Sequence, residues 1–177
     1  NGDSPMSSIL KVDTIQNTGG TTGLTIDSSG RVSLNVIPYF LAQSEHADTT
    51  YNAQVVPFPN VIENDGNCYS TSDNTFTAPI TGLYSFTYSV NGITSSADRV
   101  YIQRAQDGSN FFNIDSRSGQ TTTNGIHTRG SEDVASYDMT VLTVPLKVNA
   151  NGKVRIRVNA GSIRNFHANF FSGYLIG

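Results

Sequence analysis

Apolar residues along this chain recur at every second position rather than every third or fourth. Tyr84, Phe86, Tyr88 and Val90 alternate with Ser85, Thr87 and Ser89, and Val154, Ile156 and Val158 alternate with Lys153, Arg155 and Arg157. That period predicts strands with one face buried and the other wet. From Ile37 onward it predicts strands at Pro38–Gln43, Gln54–Phe58, Thr75–Ala78, Gly82–Val90 and Arg99–Gln106. Further strands are predicted at Phe111–Asp115, Tyr137–Leu146, Lys153–Ala160 and Phe166–Ile176. Asp65-Gly66, Asn91-Gly92, Asp107-Gly108 and Asn151-Gly152 supply turns between them. No segment carries an apolar stripe at helical spacing. Short strands without helices predict an all-β sandwich or jelly roll over residues 37–177.

Residues 7–36 follow a sparser pattern. Ile9, Val12 and Ile15 are isolated, whereas Leu24-Thr-Ile26 and Val32-Ser-Leu34-Asn-Val36 alternate around two Gly-rich turn clusters. One copy of such a segment cannot build a core. We expect a short trimeric, β-rich fibrous stem in which three copies around a common axis bury a shared apolar edge, with a disordered tail as the alternative. Residues 1–6 read as a cloning remnant or, at Met6, a natural start.

Two head strands break the alternation. Phe166, Phe170, Tyr174 and Ile176 share one face of the last strand, and Phe171 and Leu175 share the other around Gly173. Likewise Ile37, Tyr39 and Leu41 alternate with Pro38, Phe40 and Ala42. A sandwich covers only one face of a strand, so the second apolar face predicts a subunit contact. The expected contact residues are Ile37, Tyr39, Phe40, Leu41, Phe170, Phe171, Tyr174 and Leu175. The alternative is a cover from the same chain.

Composition adds constraints. Nine Phe and eight Tyr furnish a core, while only 14% of the 177 residues are charged and the net charge is −3. Lys153, Arg155 and Arg157 fit a solvated sheet face better than a nucleic-acid groove, so no nucleic-acid partner is expected. A single cysteine, Cys68, excludes an intrachain disulfide. No stretch has the length and apolarity of a membrane span, so no membrane insertion is expected. No Asn-x-Ser/Thr sequon occurs either.

Gly66-Asn-Cys-Tyr-Ser70, then Phe76-Thr-Ala-Pro-Ile-Thr-Gly-Leu-Tyr-Ser-Phe-Thr-Tyr88, resembles the signature of the complement C-one-q globular head. Phe170-Phe-Ser-Gly-Tyr-Leu-Ile176 resembles its closing run, and Asn151-Gly152 stands at its Gly-Asp turn, with Lys153 in place of the Asp. The resemblance implies a ten-stranded jelly roll related to the tumour necrosis factors, assembled as a homotrimer with its first and last strands at the axis. Lys11-Val-Asp-Thr-Ile-Gln-Asn-Thr18 and Gly23-Leu-Thr-Ile-Asp-Ser-Ser-Gly-Arg-Val32 resemble a segment of marine phage, especially cyanophage, tail-fibre proteins. This second resemblance implies a virion protein made in the host cytoplasm, whose partner is a host cell-surface molecule or another virion protein.

The sequence contains no recognisable catalytic pattern. No phosphate-binding loop and no His-Glu-x-x-His is present, and His46, His127 and His167 lack metal-ligand spacing. A polysaccharide-cleaving enzyme would need converging carboxylates, and no pair has a recognisable context. We therefore expect no enzyme and no cofactor. Asp48, Asp73, Asp98, Glu132 and Asp133 lie in connections where calcium is conceivable, although no ligand motif transfers. The longest connection, Arg117–Ser136, contains Ile126, His127, Arg129, Glu132 and Asp133. Long loops are often functional, so these five residues, with Thr94–Asp98 as a neighbour, are expected to contact the partner.

Overall fold

A computed structural model describes residues 11–34, 37–45, 50–91, 99–114, 125–129, 139–160, 162–164 and 169–177. The chain divides into two units, residues 1–37 and 38–177. In the first unit, β1 (Thr14–Gln16), β2 (Thr22–Ile26) and β3 (Val32–Leu34) form an antiparallel meander. Its two turns are built alike. Asn17 Oδ1 accepts the N–H groups of Gly19 and Thr21, and Asp27 Oδ1 accepts those of Ser29 and Arg31. Each turn ends on a glycine with positive φ, Gly20 or Gly30, where a Cβ would be strained.

The second unit is all β among the described residues. Its strands are β4 (Tyr39–Gln43), β5 (Thr50–Asn52), β6 (Asn60–Asp65), β7 (Tyr69–Ser70), β8 (Thr75–Thr77) and β9 (Gly82–Asn91). They continue with β10 (Arg99–Ala105), β11 (Phe112–Asn113), β12 (His127–Arg129) and β13 (Met139–Val148). The last three are β14 (Lys153–Ala160), β15 (Ser162–Arg164) and β16 (Phe170–Leu175). One sheet has the order β13-β9-β16-β4-β6; the other runs β11-β10-β14-β8-β7, with β12 also paired to β10. β5 and β15 make a separate two-stranded ribbon. The sheets face one another as a jelly-roll sandwich, as the strand pattern predicted.

Alternation decides what enters the core. From β9 come Tyr84, Phe86, Tyr88 and Val90, and from β14 come Val154, Ile156 and Val158, all fully buried. Phe40 stacks on Tyr69 at 4.9 Å between centroids and meets Phe171 edge-on at 4.8 Å. Such offset and edge-on pairs add to the stabilisation from area burial.

Three expectations need correction. Gln54–Phe58 is not a strand but a single bridge, Val55 opposite Arg157, because Pro57 and Pro59 cannot donate to a ladder. Asn60–Asp65 is a strand although its Asn and Asp content disfavours one; pairing with β4 overrides that propensity. Within the expected long loop, His127–Arg129 is an edge strand paired with Arg99–Tyr101.

Candidate subunit-contact face

Register places the side chains on the outer face of the five-stranded sheet. Reading across from β13 to β6, Val141, Ser89, Phe170, Gln43 and Asn60 are aligned neighbours. The next row is Thr143, Thr87, Ser172, Leu41 and Glu63, and the third is Pro145, Ser85, Tyr174, Tyr39 and Asp65. A bulge between Leu41 and Ala42 makes room for Ile62 as the extra residue on β6. Leu41, Gln43, Ile62 and Phe170 line a shallow apolar depression there.

Exposed apolar residues occur on β4 and β6, on and just after β16, and on β13. Tyr174 and Ile176 are each 53% exposed, Ile62 is 54% exposed, and Tyr39 is also exposed. Leu41 and Phe170 are half-buried between them. β9 presents Ser85, Thr87 and Ser89 here, and Thr87 and Thr143 share a hydrogen bond of 2.9 Å between their hydroxyls, but Val141 beyond them on β13 is 52% exposed. Tyr39, Leu41, Ile62, Phe170 and Tyr174 are neighbours across β16, β4 and β6 and form one apolar patch, separated from Val141 by the polar positions of β9.

Five of the eight expected contact residues are at least partly open to solvent on the outside of the chain. Tyr39, Leu41, Phe170 and Tyr174 lie on this face, and Ile37, at the end of the first unit, is exposed. The other three point inward. Phe40 and Phe171 are buried in the chain's own core, and Leu175 packs against it, because strand parity turns them to the opposite side. Ile62 and Ile176 belong to the face as well. Ile176 shares parity with Tyr174, but Ile62 was hidden in a segment that does not read as a strand.

The expected partner loop is only partly described. Ile126 is partly buried against the core and donates its N–H to the Ile114 carbonyl at 2.6 Å. The His127 ring lies on Tyr101 at 4.8 Å, with Nδ1 2.6 Å from the Gly125 carbonyl. Arg129 ends β12 opposite Arg99. Glu132, Asp133 and Thr94–Asp98 lie outside the described residues, as do Asp48, His46 and His167.

Lys153 Nζ holds the Asp73 carboxylate at 2.8 Å, and Thr75 donates to the same group. Partial burial pushes the Asp73 pKa up, but these hydrogen bonds outweigh it and leave the carboxyl below its ordinary value. Arg155 lies over the Phe111 ring, 3.7 Å from its centroid, and donates from Nε to Gln103 Oε1. Burial raises the Cys68 thiol pKa to about 11. Among the described residues, no group of three or more His, Cys, Asp or Glu side chains could hold a metal.

A C1q domain model matches residues 39–176. The globular domain of zebrafish complement 1qA protein is 18% identical, with a TM-score of 0.56, covering 79% of this chain and 98% of that one. Murine APRIL is 8% identical at a TM-score of 0.57, with 79% and 99% covered. Eiger TNF from S. frugiperda is 9% identical at 0.54, with 81% and 94% covered. At these identities the solved structures share the fold alone. The family match, by contrast, spans most of the chain and contains both motifs quoted above. The chain belongs to the C1q domain family.

Proposed function

We propose that this protein is a trimeric, non-enzymatic recognition head that forms the tip or knob of a phage tail fibre and attaches the particle to its host surface. C1q domains are binding modules that commonly assemble as homotrimers. The observation that carries the trimer here is the apolar half-face of Tyr39, Leu41, Ile62, Phe170, Tyr174 and Ile176, open to solvent in a single chain. A patch of that size on a monomer is a liability, and a closed symmetric assembly covers it. Three identical heads would also bind a repetitive surface with avidity. The phage setting rests on Lys11–Thr18 and Gly23–Val32, whose pattern resembles tail-fibre segments.

Sedimentation of the purified chain tests the trimer, and a monomer at micromolar concentration refutes it. Binding of labelled trimer to intact host cells tests attachment. Binding to particle proteins alone would instead make the chain an assembly or decoration protein with no receptor of its own.

A further inference from the structure

The three-stranded sheet β1–β3 has two unlike faces. Ile15 pairs with Leu24, Ile26 pairs with Val32, and Leu24 and Ile26 are two apart, so all four side chains share one face. Thr14, Thr25 and Ser33 form a polar row on the other. Ile15 is 49% exposed and Val32 is 61% exposed. A single layer of three short strands has no core of its own. Four aliphatic side chains cannot offset the backbone entropy of ordering this segment in isolation.

We propose that this face packs against the same face in two further copies of the chain, and that it does so only after the heads have assembled. The proposal rests on the reading of the head as a homotrimer. Only residues 35–38 separate β3 from β4, the strand that carries Tyr39 and Leu41. Heads that meet through β4 therefore bring three copies of the segment to high effective concentration. A patch of four side chains falls well short of the roughly 800 Å² per partner that a separate protein needs for stable binding. Tethered copies need much less. The matched turns at Asn17 and Asp27 pre-form each meander and lower the ordering cost when the copies meet. Dependence runs one way: the segment requires the head trimer, but the head does not require the segment.

Amide hydrogen exchange of the full chain, run beside sedimentation, tests this. In the wild-type trimer, amides of Thr22–Ile26 are expected to exchange at least ~100-fold more slowly than in an unfolded chain. Phe170→Glu should yield a monomer whose head core stays protected while Thr22–Ile26 loses protection. If that variant remains trimeric, F170E/Y174E serves in its place. Ile26→Asp should remove protection from the segment and leave the trimer intact. Protection of the segment in a monomer overturns the proposal, as does an intact trimer with an unprotected segment or protection that appears only when other particle proteins are added. A wild-type monomer is recognised by sedimentation first and overturns the head reading itself.

Discussion

Phe86 lies directly across Gly173, and a Cβ built on that glycine would stand 2.6 Å from Phe86 Cδ1. Phe40, on the other neighbouring strand, would be 2.8 Å away. Gly173 is thus where two core rings approach the backbone of β16. Gly173→Ala should destabilise the head by ~1–3 kcal/mol through overpacking. Urea unfolding checks it, and an unchanged midpoint would contradict the packing.

The two faces of β16 should separate in mutants. Phe171→Ala empties a fully buried site and should cost ~3–5 kcal/mol of stability. Phe170→Glu charges the outer face and should leave secondary structure intact while shifting sedimentation to the mass of one chain. If Phe170→Glu and the F170E/Y174E pair both stayed trimeric, the outer patch would not be a contact.

Tyr88 donates its hydroxyl to the Val100 carbonyl at 2.7 Å and accepts the Thr128 N–H at 3.2 Å. It fixes β12 to the core. Tyr88→Phe leaves both partners short of a bond and should cost ~1–3 kcal/mol. Faster amide exchange at Thr128 is expected with it.

Acid should weaken the head through two aspartates. Backbone N–H groups of Asn110 and Ser109 hold the Asp107 carboxyl at about 2, and Asp73 is also lowered. A depressed folded value contributes stability above the unfolded value of 3.8, and that contribution is lost as pH falls through about 2. D73N and D107N should each lower the thermal midpoint at pH 6. Each should also flatten its dependence between pH 4 and pH 2.

Cys68 should be inert in the native protein. Its pKa of about 11, against an ordinary 9.0, leaves roughly 100-fold less thiolate at a given pH. Alkylation by iodoacetamide at pH 8 should therefore follow unfolding. Rapid native labelling would show the site to be open.

The sandwich was legible because Tyr84–Val90 and Lys153–Val158 alternate cleanly, with Gly-containing turns at Asp107-Gly108 and Asn151-Gly152. The contact face was legible only by half. Residue identity marked β4 and β16 as apolar on both sides, but it could not say which parity faces the second sheet. Phe40 and Phe171 were therefore expected at the contact, whereas they fill the core. Ile62 escaped notice because it stands among Asn60, Glu63, Asn64 and Asp65, and its position depends on a bulge set by pairing with β4.

β16 lies between β9 and β4, and neither of those strands pairs directly with the other. Until β16 emerges from the ribosome, β9–β13 and β4–β6 are separate ribbons with greasy undersides. Synthesis thus leaves a long interval in which the nascent head is vulnerable to aggregation, and closure waits on a contact between segments far apart in the chain. Chaperone demand during translation should be set by that one late strand.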